Sequence, residues 1–198
     1  MKKNFQYVSI MKAFIISILM LLTLSSCDFF KKDNEAKQLK KMFQEFSKKE
    51  LKFPDSVFVF YGKNNLLKRS IQSYTENHLK IVTRITADCH HCIINLQRWE
   101  EEILCQIDTS SVKFLSFIYT DNLSYFTDVI YPEIDINYPL LIDTLNQFVI
   151  DNNLPPFDNR FHTFLLDTKN KIILIGSPLS NNQLKNLYLD EIQKRKKF

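Results

Sequence analysis

The chemistry most plainly written in this chain is that of sulfur. Cys89-His90-His91-Cys92 sets two thiols three positions apart with two imidazoles between them. Residues 79–87 (LKIVTRITA) ahead of the motif are β-branched and apolar, and Ile93, Leu96, Trp99, Ile103 and Ile107 behind it recur at helical spacing. The motif therefore falls where a strand gives way to the start of a helix. A helix N-terminus presents unpaired N–H groups and roughly half a positive charge, which stabilises a thiolate at Cys89 and lowers its pKa. On the first turn, position i+3 shares a face with position i, so Cys92 comes within bonding reach of Cys89. This arrangement suits dithiol exchange, with Cys89 as nucleophile and Cys92 as resolving thiol. Asp88 adds a charge that opposes the thiolate, and His90 and His91 push the other way.

The elements that must position the motif alternate. Residues 56–61 (SVFVFY) and 79–87 read as strands, separated by a Gly62-Lys63-Asn64-Asn65 turn and the stretch 66–77. A helix is expected over 93–107, a strand over 112–120, a helix over 122–133, a short strand over 138–142 and a short helix over 144–152. Residues 162–166 and 171–176 flank Asp167-Thr168-Lys169-Asn170 and predict a hairpin. Ser180 is placed to cap a last helix over 181–194, with Leu184, Leu187 and Ile192 on its apolar side. Such an order predicts an α/β fold: a mixed central sheet with helices on both faces.

The chain has 198 residues, 45% of them hydrophobic, which is enough for one folded domain. Its net charge of +4 is too small to argue for nucleic acid, and Lys2, Lys3 and Lys12 contribute most of the surplus ahead of an apolar run. That run, residues 13–24 (AFIISILMLLTL), is shorter than the roughly 20 residues a membrane-crossing helix needs and reads as the core of a signal peptide. Leu24-Ser25-Ser26-Cys27 follows and resembles a bacterial lipobox, which implies cleavage before Cys27 and its acylation. The expected organisation is a lipoprotein signal peptide over 1–26, a lipidated Lys-rich helical stalk over 27–52 and a folded domain over 53–198. The expected place is the bacterial cell envelope, on the periplasmic or outer face, where disulfide chemistry is permitted. Within the stalk, Leu39, Met42, Phe43 and Phe46 form an amphipathic stripe.

With a Cys-x-x-Cys after a strand, this element order and the late segment Phe161-His162-Thr163-Phe164-Leu165-Leu166-Asp167, the sequence resembles the thioredoxin-like thiol–disulfide oxidoreductases of the anchored TlpA type. The resemblance runs from about residue 53 to 194. It implies a thioredoxin-like fold, catalysis by Cys89 and Cys92, and tuning of the thiols by His90 and His91, with His91 donating to the Cys89 thiolate. It also implies substrate binding by the backbone at Phe161, His162 and Thr163, and no organic cofactor. The partners it implies are exported thiol or disulfide proteins, and a redox partner that recycles the cysteines. Two positions depart from the family pattern: His162 stands where a cis-proline belongs, and Asp88 replaces the usual tryptophan.

One alternative uses the same residues differently. Cys89, Cys92 and His162 offer sulfur and imidazole donors suited to copper or zinc, which would make the protein a thioredoxin-fold metal carrier. Another is a non-catalytic thioredoxin-like lipoprotein serving as a binding module. Elsewhere, Cys105 is expected on the motif's own helix, rotated about 220° from Cys92, as a buried apolar thiol. Trp99 is expected to pack the helix on the sheet, Glu100, Glu101 and Glu102 to form a solvated face, and Tyr131, Tyr138 and Phe157 to serve in the core. His78 has no evident partner. No Ser-His-Asp set, phosphate-binding glycine loop or peroxidase-type nucleophile motif is present.

Overall fold

The computed structural model describes residues 40–41, 43–47, 49–60, 66–87, 90–156 and 158–196, with side chains at all of these but 66–68, 73, 90–92 and 196. The chain divides into two units, Met1–Phe46 and Ser47–Phe198. In the first, residues 40–41 and 43–46 are helical, while Cys27, Leu39, Met42 and the whole apolar run lie outside the described residues.

The second unit is built on seven strands: β1 (Ser56–Phe60), β2 (Leu66–Ser70), β3 (Leu79–Thr86), β4 (Val112–Tyr119), β5 (Leu140–Ile142), β6 (Thr163–Leu166) and β7 (Ile172–Ile175). They lie in the order β2-β1-β5-β4-β3-β6-β7. The pairs β3–β4 and β4–β5 are parallel and all others antiparallel, giving the mixed sheet expected. The helices are α1 (Gln72–Thr75), α2 (His90–Glu102), α3 (Leu123–Tyr125), α4 (Gln147–Asp151) and α5 (Asn182–Lys196).

Strand alternation divides the core between two faces. On one face, Leu79, Ile81, Val112, Phe114, Ile118 and Leu165 pack with Leu96, Trp99 and Ile103 of the α2 region and with Tyr188 and Ile192 of α5. On the other, Phe117 stacks on Phe148 of α4 at 4.7 Å and 4°, and Phe53 stacks on both rings at about 6 Å. Helices therefore cover both faces.

Several elements differ from the sequence expectation for local reasons. The stalk helix does not reach residue 52: Glu50 bridges Lys171, Ile172 N–H donates to the Lys49 carbonyl at 2.9 Å, and Leu51 N–H donates to the Asn170 carbonyl at 2.9 Å. The unpaired edge of β7 thus recruits residues 49–51 into strand-like pairing. Residues 66–70, given no element from sequence, pair with β1 as the edge strand β2. The helix after the motif begins at His90 and ends at Glu102; a 3-10 turn, Leu104–Gln106, follows. Trp99, Ile103 and Leu104 are all buried, and Cys105 within the 3-10 turn is exposed. The helix expected over 122–133 breaks into α3, a π-turn Phe126–Ile130 and a 3-10 turn Tyr131–Glu133, with Phe126 and Tyr131 both packed near Phe60. The last helix is capped by Asn181, whose Oδ1 accepts Leu184 N–H at 2.8 Å, rather than by Ser180, whose hydroxyl donates to the Ser177 carbonyl. Tyr188, rather than Leu187, carries its apolar face, and Leu187 is exposed.

The β6–β7 hairpin is turned by Asp167, whose Oδ1 accepts the N–H of Lys169 and Lys171, with Asn170 left-handed at φ 62°. Gly176 ends β7 at φ 105°, and a Cβ there would meet Leu184 at 3.0 Å, so the position requires glycine.

Candidate functional site

The parallel strands β3, β4 and β5 all end at one pole of the sheet, where Ala87 N–H donates to the Tyr119 carbonyl at 2.8 Å and Asp143 N–H to the Ile118 carbonyl at 2.9 Å. This is the end at which open α/β sheets bind their ligands. The Cys-x-x-Cys segment spans the β3–α2 connection at that pole. Cys89 and Asp88 lie outside the described residues; His90, His91 and Cys92 have their backbone in the first turn of α2, and their side chains are not described.

The second arm of the pole is the start of β6. Thr83 pairs with Thr163, and Arg84 N–H donates to the His162 carbonyl at 2.8 Å, so residues 162–163 are drawn alongside the strand that runs into the cysteine motif. Thr83 and Thr163 point to the α2 face, and their buried hydroxyls meet at 2.9 Å. All peptide bonds among the described residues are trans, including the one entering His162.

Phe161, His162 and Thr163, whose backbone is expected to border substrate, have side chains buried to 3%, 1% and 3% exposure. The His162 ring is enclosed: Nε2 lies 2.7 Å from the Pro155 carbonyl and Nδ1 3.1 Å from Asn159 Oδ1. Burial and the nearby Arg84 guanidinium hold its pKa below the usual imidazole value, against the Pro155 hydrogen bond and Asp158, which favour the charged form. Both nitrogens of the His162 ring thus lie within hydrogen-bonding reach of chain groups. Among the described residues no three His, Cys, Asp or Glu side chains come together as a metal site.

Arg84, which the sequence reading passed over, is buried on the α4 face of the same strand end. Its Nη1 donates to Thr86 Oγ1 at 2.7 Å, its Nε to Asn146 Oδ1 at 3.3 Å, and its guanidinium lies 4.9 Å from the centre of the Tyr119 ring. The available signal was a charged residue inside the otherwise uncharged run IVTRIT.

The remaining candidates serve the frame. Glu100 accepts both the backbone and side-chain N–H of Asn137 at 2.9 and 2.8 Å, and Glu102 pairs with Arg98 and Lys185, so two of the three glutamates are engaged and Glu101 alone stays exposed. Tyr138 donates to the Leu96 carbonyl at 2.7 Å and meets Phe114 edge-on; burial pushes its phenol far above the ordinary value. Tyr131 packs on Phe60, and Phe157 lies outside the described residues. The expectation that Cys105 is buried is corrected: its thiol is exposed and donates to the Glu101 carbonyl at 2.9 Å, because at 100° per residue it falls about 180° round from the buried Leu96.

The fold is thioredoxin-like. The chain is similar in structure to a proposed protein disulfide isomerase from Bacteroides thetaiotaomicron, with a TM-score of 0.53 at 14% identity over 73% of this chain and 87% of that one. It is similar to a proposed thiol:disulfide interchange protein, DsbE, from Chlorobium tepidum, with a TM-score of 0.53 at 12% identity over 74% and 99%. A reduced 2-Cys peroxiredoxin from Plasmodium vivax gives a TM-score of 0.56 at 15% identity over 77% and 99%. No family model matches the sequence, and no curated protein matches it. At these identities the likeness defines the fold, a scaffold shared by disulfide-exchange proteins and peroxiredoxins alike.

Proposed function

We propose that the protein is an extracytoplasmic thiol–disulfide oxidoreductase that exchanges disulfides with exported proteins through Cys89 and Cys92. The observation that carries this reading is that the sequence Cys89-His90-His91-Cys92 spans the β3–α2 connection of a thioredoxin-like sheet, at the pole where the start of β6 lies alongside β3. In the reducing direction the Cys89 thiolate attacks one sulfur of a client disulfide, forming a mixed disulfide and expelling one client thiolate. Cys92, deprotonated in turn, attacks the Cys89 sulfur; the mixed bond breaks, the second client thiolate leaves, and two electrons have passed to the client. The Cys89–Cys92 disulfide is then reduced by a recycling thiol partner, and the oxidising direction runs the same steps backwards. His90 and His91, when protonated, stabilise the Cys89 thiolate and with it the reduced state. The backbone around Phe161, His162 and Thr163 borders the client chain. Lipid on Cys27 holds the protein to the cell envelope. Among the described residues no helix is long and apolar enough to cross a membrane.

The test is the reduction potential of the Cys89–Cys92 couple in the full chain, with metal content assayed on the same sample. The expected result is a reversible, metal-free couple above about −270 mV and below about −120 mV, because the imidazoles favour the reduced form relative to thioredoxin. A couple below about −300 mV would overturn the exchange reading in favour of a static disulfide, and stoichiometric metal on the reduced thiols would overturn it in favour of a carrier.

A further inference from the structure

Leu145 is the most exposed large apolar side chain among the described residues, at 75%, and the loop that carries it is held from both ends. That loop, residues 143–146, leaves the end of β5 at the pole of the cysteine motif. Asp143 N–H donates to the Ile118 carbonyl of β4, and its carboxylate accepts the N–H of Gln147 and Phe148 at 2.8 and 2.9 Å. Asn146 is left-handed at φ 52°; its N–H donates to the Asp143 carbonyl at 3.1 Å, and its own carbonyl accepts the N–H of Val149 and Ile150. Its side chain reaches across β4, where Oδ1 accepts Arg84 Nε at 3.3 Å from β3, the strand that runs into the cysteine motif. The Arg84 guanidinium is itself fixed by Thr86 Oγ1 and the Tyr119 ring. A single exposed leucine is ordinary on any protein surface. What singles this one out is a loop pinned on both sides of it and tied, over an intervening strand, to the element that positions the thiols.

We propose that loop 143–146 is a client-binding element of the exchange site, in which Leu145 receives a large apolar side chain of the client and Arg84 is a positioning residue. β5 and β3 lie two strand spacings apart, roughly 10 Å, which an extended client chain covers in about three residues. The side chain received therefore lies about three residues from the client cysteine that joins Cys89. One protruding leucine buries far less than the roughly 1,200 Å² of a stable protein interface, so it suits a transient extended chain and not a second copy of the protein. The part in exchange rests on the proposed function, whereas docking of an apolar peptide at the loop does not.

The experiment uses the full chain and two peptides, one with leucine and one with serine three residues from a cysteine. As disulfide-linked dimers they are substrates, and kcat/KM for the leucine dimer should exceed that for the serine dimer roughly tenfold. In Leu145→Ser that ratio should fall toward one, a reading that general loss of activity does not move. Arg84→Met and Asn146→Gly, which keeps the left-handed backbone, should each lower the ratio through KM, and the double variant should lower it no further. A ratio untouched by Arg84→Met would remove Arg84 from its positioning part. With their cysteine replaced by serine, the same peptides are ligands. Amide shifts of residues 143–147 in the unsubstituted protein should move with the leucine peptide and not with the serine one, which keeps the test intact if a variant fails to fold. A ratio unchanged in Leu145→Ser, or shifts that leave 143–147 still, would overturn the docking element. Loop shifts that follow protein concentration without peptide would overturn it in favour of a second copy. No reduction of either dimer alongside leucine-dependent loop shifts would overturn the proposed function alone.

Discussion

Lys80 is a charged group placed at the second position of β3 with no exposure, its Nζ donating to the carbonyls of Thr75 and His78 at 2.6 and 2.8 Å. Burial lowers its pKa from 10.5 to about 8, with Asp167 pulling weakly the other way. Between those values the unfolded chain binds more protons than the folded one, so stability rises with pH from about 8 to 10.5 and is flat with respect to this group below 8. Urea denaturation should show a gain on the order of 2 kcal/mol across that window, and Lys80→Met should abolish it. A profile unchanged by the substitution would show that Lys80 remains ordinarily hydrated. The same principle of enclosure governs Thr83 and Thr163, whose hydroxyls satisfy one another where neither reaches water.

Among the elements, the least anticipated is the segment 49–53, which sequence assigned mostly to a stalk. Leu51 is buried, and Phe53 completes a stack with Phe117 and Phe148. Asn152, fully enclosed after α4, is the pin: its Oδ1 accepts Lys52 N–H at 2.8 Å, and its Nδ2 donates to the carbonyls of Lys52 and Phe148 at 2.8 Å. Its own carbonyl takes Lys49 Nζ at 2.7 Å. One side chain thus ties the entering strand to the helix that covers the second face. Asn152→Ala leaves buried backbone groups unpaired and should cost about 2–4 kcal/mol in urea denaturation, with trypsin cutting after Lys49 or Lys52 under native conditions. Unchanged resistance to trypsin would mean that Phe53 and Leu51 hold the segment without Asn152.

At the scale of the whole molecule, the topology separates the two ends of the sheet. Residues 49–51 join at the β6–β7 hairpin, whereas β3, β4 and β5 end at the opposite pole, beside the start of β6. The exchange proposed for Cys89 and Cys92 would take place at the second of these poles. Replacing the resolving thiol tests this use of the pole. Cys92→Ser should abolish turnover and accumulate Cys89-linked mixed disulfides with envelope proteins, visible as reducible bands after non-reducing electrophoresis. Cys89→Ser should accumulate none. Equal trapping by both variants would assign the reactivity to another thiol, for which the exposed Cys105 is the candidate.

By itself the sequence determined the kind of sheet and where the cysteine motif falls among its elements. Alternation and β-branching marked β1, β3, β4 and the β6–β7 hairpin, and the change of period from two to 3.6 placed the cysteine motif between a strand and a helix, because these are local properties carried by neighbouring residues. The tertiary structure alone decided what depends on distant partners: that residues 49–51 leave the stalk for the edge of β7, that 66–70 become an edge strand, and that Cys105 turns outward where Ile103 and Leu104 claim the core. It also enclosed His162 between Pro155 and Asn159 and set Arg84 across from it. The identity of a buried polar group's partner is fixed by which chain segment the core brings against it, and no spacing along the sequence encodes that choice.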